Sequence, residues 1–185
     1  MLVRAFPWLP GVAAEEPGGP LHVARLLQGG SRHDNPAQYG VLYASRDPVS
    51  AAAERLRSFR RWELADADFL RPDGARYALI TLDDEDVAEL VDLDDPSVLT
   101  ARDLRPSMVA TRERRATRRM ALDLYEDGAD GISWWSTIEA SWTNVSLFAE
   151  RCLDRLVVTS DPEPLGVEHA AVRDAAAALG IRLSA

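Results

Sequence analysis

Residues 40–56, GVLYASRDPVSAAAERL, constrain the fold more than any other part of the chain. The apolar run from Val41 to Ala44 is too short for a helix and is bounded by Gly40 and Asp47, which predicts a buried strand. Asp47 then supplies an N-cap, and Pro48 sits at the first helical position, where its missing N–H leaves no hydrogen bond unmade. A strand feeding directly into a capped helix puts both kinds of element in one local unit.

In that helix Val49, Ala52, Ala53 and Leu56 recur at helical spacing and define the expected buried stripe. Glu54, the only carboxylate of the alanine-rich stretch, falls off that stripe, on a polar face. A polar face is not always a solvent face. If the helix borders a cleft, the same geometry aims Glu54 into it.

The rest of the chain reads as separate strands and helices. MLVRAF and LHVARLL predict strands joined by the loop GVAAEEPGGP, and RYALITLD is apolar on nearly both faces, as a central strand is. The acidic stretch 83–104, broken by Pro96, predicts a short helix or a strand pair. TRERRATRRMALDLY, 111–125, is helical by propensity, and GISWW, TNVSLFAE and RLVVTS predict three strands. A closing amphipathic helix stops at Gly180. Strands mixed with a few separated helices, without strict alternation, indicate an α+β fold, and 185 residues fit a single domain.

Composition narrows the chemistry. All 21 positive side chains are arginines, so a phosphate-loop lysine, a Schiff base and a lysine general base are excluded. Any phosphate must be gripped by arginine, whose planar fork holds two oxygens at once. A net charge of -9 disfavours nucleic acid and anionic lipid. Cys152 is the single cysteine, which excludes an internal disulfide and a thiolate zinc site. His22, His33 and His169 are far apart in sequence, so no metal site is expected. With no long apolar run and no charged-then-apolar leader, the expected location is the cytoplasm, without a membrane span.

Several residues invite functional readings that have plainer alternatives. Arg112, Arg115 and Arg119 share a helical face that could clamp a phosphate or an acidic partner, although a solvated face on an otherwise acidic protein is the plainer and favoured account. Trp134, Trp135 and Trp142 could stack a planar base, although large aromatics in strands commonly belong to the core. Ser136 and His169 suggest a serine hydrolase only weakly, because no G-x-S-x-G surrounds the serine.

Two longer stretches carry a family resemblance. GGSRHDNPAQYGVLYASRDPVSAAAE resembles the N-terminal motif of RES-domain proteins, named for arginine, glutamate and serine, and DGISWWSTIEASWTNVSLF resembles their C-terminal motif. By position Arg32 matches the turn arginine, Tyr43 the strand tyrosine, Glu54 the helix glutamate and Ser136 the serine. Arg4 resembles an N-terminal arginine of the family, and Asn144 a later asparagine. The turn departs from the family pattern, with Ser31 between glycine and arginine and His33 where an aromatic is usual.

The resemblance implies one ADP-ribosyltransferase-like domain over residues 1–185, with a mixed sheet and a few flanking helices. It implies the toxin of a toxin–antitoxin pair that degrades NAD+ as substrate, by hydrolysis or phosphorolysis, without a further cofactor. A helix-turn-helix antitoxin would be its partner, and a homodimer is implied in the antitoxin-bound state. Glu54, Ser136 and Tyr43 would then be catalytic, and Arg4, Arg32 and Asn144 would bind the dinucleotide. ADP-ribosylation of a protein and a non-catalytic binding role are the competing readings.

Overall fold

The computed structural model describes residues 1–59 and 63–184. In chain order the strands are β1 (Leu2–Trp8), β2 (Val41–Ser45), β3 (Glu63–Leu64), β4 (Arg76–Asp83), β5 (Leu90–Asp92), β6 (Gly131–Trp135), β7 (Thr143–Phe148), β8 (Val157–Val158), β9 (Glu163–Pro164) and β10 (Arg182–Leu183). The α-helices are α1 (Pro48–Leu56), α2 (Pro96–Ala101), α3 (Pro106–Ala110), α4 (Arg114–Glu126), α5 (Ala149–Cys152) and α6 (Ala170–Leu179). The fold is α+β with both parallel and antiparallel pairing. Two units are distinguished: Met1–His22, Ala44–Asp83 and Val157–Ala185 form the first, and Val23–Tyr43 with Asp84–Leu156 form the second.

In the first unit β1 pairs antiparallel with β4 along its whole length, from Leu2↔Leu82 to Trp8↔Arg76, and meets β2 at Val3↔Ser45. The opposite edge of β4 takes β8 and β9, both antiparallel, so RYALITLD is a central strand as its two apolar faces required. A short parallel pair joins β3 with β10 in the same unit. Helix α1 packs against α6 and β1.

Local chemistry explains α1. Asp47 accepts a hydrogen bond from Ser50 N at 3.0 Å and Pro48 occupies the first turn. The buried arc is wider than the expected stripe: Ser50, Ala51, Ala52, Ala53 and Leu56 are buried, whereas Val49 is only half-buried. Small alanines on α1 and α6 let two helices approach closely, so burial follows neighbours on two sides rather than one apolar stripe. Helix α6 ends at Gly180, which adopts φ 67°, a left-handed cap that glycine reaches without steric penalty.

In the second unit β6 is the middle strand, parallel to β5 through Leu90↔Gly131 and antiparallel to β7 from Gly131↔Leu147 to Trp135↔Thr143. The apolar C-terminal half of α4, with Met120, Ala121 and Leu124, joins Tyr39, Ile132, Trp134 and Phe148 in one core. Cα–Cβ vectors alternate along β6, so Ile132 and Trp134 both face that core.

Three sequence expectations fail locally. LHVARLL forms no strand: Leu21 N bonds to Ala14 O, His22 N to Gly19 O, and Arg25–Leu27 is a 3-10 turn. TNVSLFAE is strand only to Phe148, because Ala149 opens α5. RLVVTS is reduced to β8. Among the described residues, no helix is long and apolar enough to cross a membrane.

Candidate functional site

The turn before β2 is organised by one side chain. Asp34 Oδ2 accepts hydrogen bonds from Gly29 N at 2.8 Å and Ser31 N at 2.7 Å, and Oδ1 accepts from the Tyr43 hydroxyl at 2.8 Å. The Tyr43 oxygen in turn accepts from His33 N at 3.0 Å. Gln28 exchanges two hydrogen bonds with the Val41 backbone, which ties the start of the turn to β2. Burial, followed by the neighbouring Asp34 charge, pushes the Tyr43 phenol well above its ordinary value.

Helix α4 holds the same turn from the other side. Thr117 Oγ1 donates to Arg32 O at 2.6 Å, Asn35 Nδ2 to Arg118 O at 2.9 Å, and Arg118 Nε to Ser31 O at 3.1 Å. Two of these contacts hold the turn by its own carbonyls, those of Arg32 and Ser31, and the third uses the Asn35 side chain.

Arg32 is buried. Its Nη1 donates to Val109 O at 2.7 Å and Thr111 O at 2.8 Å, and the guanidinium carbon lies 4.9 Å from the Trp134 ring centroid. These contacts pin the link between α3 and α4. His33 is fully buried, with Nδ1 2.9 Å from Ser146 Oγ and its ring edge-on to Trp134 at 5.4 Å. Burial, with the charges of Arg32 and Arg114 adding to it, pushes His33 down to about 3, so the ring is neutral. His33 Nε2 and Arg114 Nη1 are buried and have no hydrogen-bond partner among the described residues.

Ser136 sits at the base of the β6–β7 loop, where its N–H donates to Trp142 O at 2.7 Å and its Oγ accepts from Ile138 N at 3.1 Å. A groove of about 480 Å³ opens there, with Arg112 and Ala110 on one part of its lining and Trp135, Ser136 and Thr137 on another. Asn144 is buried and lies across from Trp134 in the strand register. The second unit therefore gathers Arg32, Tyr43, Ser136 and Asn144 with His33, Asp34 and Trp134.

Glu54 and Arg4 lie in the first unit. The Glu54 side chain is 25% exposed and forms an ion pair at 3.4 Å with Arg57 Nη1, one helical turn on. The neighbouring Arg55 guanidinium stacks 3.8 Å over the Tyr77 ring, which fixes how the C-terminal half of α1 meets β4. Arg4 donates from Nη1 to Pro20 O and from Nη2 to His22 O at 2.7 Å. Burial lowers its pKa to about 10, which still leaves it charged at neutral pH.

The remaining candidates separate clearly. Arg112 precedes α4 rather than sharing a helical face with Arg115 and Arg119, because the helix begins at Arg114. Of the tryptophans, Trp134 is core, whereas Trp135 reaches the groove. His169 caps α6, its ring nitrogen accepting from Ala171 N. Cys152 is buried and burial pushes its thiol up to about 12, which leaves no thiolate near neutral pH. Among the described residues no group of three His, Cys, Asp or Glu side chains is placed to hold a metal ion. Asp34 and the groove position of Arg112 were not singled out by sequence, because Asp34 bonds backward to the N–H groups of Gly29 and Ser31 rather than forward as in an Asx turn.

The RES domain model matches residues 13–168, most of the chain. The chain belongs to the RES-domain family. The backbone of this RES domain is similar to a chain in the crystal structure of the M. tuberculosis MbcT-MbcA toxin-antitoxin complex. The TM-score is 0.62 over 98% of this chain and 87% of that chain, at 16% identity, a likeness of fold. No curated protein matches this chain in sequence.

Proposed function

We propose that this RES domain is the toxin of a toxin–antitoxin pair and degrades NAD+ by cleaving the nicotinamide–ribose bond. The observation that carries the reading is the family match over residues 13–168, together with the motif serine, Ser136, on a groove that also presents Trp135 and Arg112. Such a lining suits a planar, anionic ligand in a protein of net charge -9, where a guanidinium must supply the local attraction. The likeness in fold to a chain of a toxin-antitoxin complex supports the toxin assignment and suggests a protein antitoxin as partner.

The chemistry asks for few groups. Nicotinamide leaves neutral, so no strong general acid is needed, while the ribose develops oxocarbenium character as in glycoside cleavage. In this reading the Glu54 carboxylate stabilises that cation and holds ribose hydroxyls, and Ser136, oriented by Ile138 N, positions the nicotinamide end. The roles of Glu54 and Arg4 rest on motif position. Tyr43 contributes its ring, because its hydroxyl is already bonded to Asp34 and His33. The acceptor is water or phosphate, the protein acts in the cytoplasm, and Asn144, by motif position, meets the dinucleotide.

The test is nicotinamide release from NAD+ by purified protein, followed chromatographically, beside Glu54→Gln and Ser136→Ala with matched unfolding curves. Release by the native protein and loss of at least about a hundredfold in Glu54→Gln are expected, in line with removal of a transition-state electrostatic group. A native protein that releases no nicotinamide overturns the reading. Cellular NAD+ after induced expression, with and without a neighbouring antitoxin gene, tests the toxin assignment separately.

A further inference from the structure

Three arginines compete for the anionic part of the ligand, and their hydrogen bonds separate them. Arg4 has both terminal nitrogens on carbonyls of its own connector, Pro20 and His22. Arg32 is buried, with Nη1 on two carbonyls and its plane near Trp134. Arg112 differs: it is exposed, it lines the groove beside Ser136 and Trp135, and among the described residues it makes no hydrogen bond, ion pair or ring contact.

The segment carrying Arg112 is nonetheless held. Arg32 binds the carbonyls of Val109 and Thr111, and Glu113 N donates to Thr111 Oγ1 at 3.1 Å. A fixed backbone thus presents a guanidinium that has no internal partner among the described residues. None of the described residues lining the groove is a carboxylate, and Glu139 in the adjoining loop is turned to Ser141 N and Oγ. At about 480 Å³ the groove has room for a mononucleotide-sized group.

We infer that Arg112 is the residue that grips the pyrophosphate of the dinucleotide, in the groove it forms with Trp135 and Ser136. The inference rests on the NAD+ reading above and assigns a residue to it. Ser136 meets the nicotinamide end, Trp135 offers a flat apolar face, and Arg112 takes phosphate oxygens through its fork. Arg32 then acts on the frame around the site through the carbonyls it binds.

The experiment compares native protein, Arg112→Gln, Arg112→Lys and Arg119→Gln. The last removes another exposed charge, one that is paired with Asp123 on α4. For Arg112→Gln, KM for NAD+ should rise about tenfold or more with kcat within about twofold, as expected for loss of a charge-assisted bond made equally in ground and transition states. Arg112→Lys should fall between, Arg119→Gln should match the native protein, and the salt dependence of KM should weaken in Arg112→Gln. Native turnover with an unchanged KM in Arg112→Gln overturns this inference and leaves the NAD+ reading standing. If native protein does not release nicotinamide, that reading fails, and calorimetry with ADP-ribose decides the groove. Weaker binding to Arg112→Gln than to native protein supports the assignment; equal binding, or none to either, overturns it.

Discussion

Tyr43 donates its phenolic proton to Asp34 Oδ1 at 2.8 Å while its oxygen accepts from His33 N at 3.0 Å. The hydroxyl of the motif tyrosine is therefore a structural tie between β2 and the turn that precedes it. What the residue has left to offer a ligand is its ring. This separates two meanings of a catalytic tyrosine, a proton carrier and a packed surface, that sequence alone cannot distinguish.

Tyr43→Phe tests that separation. The ring stays, but Asp34 Oδ1 and His33 N each lose a partner, which costs about 1–3 kcal/mol of stability. Burial raises the phenol's pKa, so the tyrosine stays protonated throughout the neutral range and any stability it confers is lost only as pH rises past the ordinary tyrosine value. The expected outcome is a lower denaturant midpoint, nicotinamide release within about tenfold of native, and an unchanged pH–rate profile between about pH 6 and 9. A profile that loses one limb in Tyr43→Phe would instead make the hydroxyl a proton carrier.

His33 predicts acid sensitivity. Its pKa falls from 6.5 to about 3 on folding, because burial and the charges of Arg32 and Arg114 disfavour the imidazolium. Below the unfolded value the unfolded chain binds a proton that the native state refuses, so this contribution is complete above about pH 6.5 and declines as pH falls toward 3. The limiting slope is about 1.4 kcal/mol per pH unit. His33→Phe removes the titrating group and the unpartnered Nε2 together. Urea unfolding at about pH 7.5 and pH 5 should show a drop for native protein that is smaller by about 1 kcal/mol or more in His33→Phe, and equal drops would refute it.

Legibility in the sequence followed the range of the forces involved. The strand, cap and helix of residues 40–56 were readable because Asp47, Pro48 and the short apolar run act within a few residues of one another. LHVARLL was misread because its alternation is satisfied by a turn instead: Leu21 is buried, while Leu26 and Leu27 are 92% and 88% exposed. The candidate site shows the same divide. Glu54 was correctly placed off the buried stripe, and the ion-pair partner it takes there, Arg57, lies three residues on, within helical spacing. The groove position of Arg112 was not readable, because Arg32, far off in sequence, holds the carbonyls of Val109 and Thr111 that frame it.

The helix that carries Glu54 should be sensitive to its cap. Asp47→Ala removes the acceptor for Ser50 N and should lower stability by about 1 kcal/mol, while Asp47→Ser retains most of it. For a chain of this size that corresponds to about 2–4 °C in the thermal midpoint. Nicotinamide release measured well below the transition should change little in either variant. A loss of turnover in Asp47→Ala without a stability change would instead tie the cap directly to the chemistry.

Arg32→Lys distinguishes a framing arginine from a ligand-binding one. A lysine keeps the charge but lacks the planar fork, so it cannot reproduce the contacts with Val109 O, Thr111 O and the Trp134 ring together. The stability loss should be about 1.5–3 kcal/mol, the range for hydrogen bonds to charged groups. Because the freed segment carries Arg112, KM for NAD+ should rise as well, and the two losses should be coupled. In Arg112→Gln, where the pyrophosphate contact is already gone, adding Arg32→Lys should still reduce stability in full but raise KM by less than about twofold. If Arg32 itself grips the dinucleotide, its substitution will raise KM as much in the Arg112→Gln background as in the native one, and a double-mutant cycle in KM reads the difference directly.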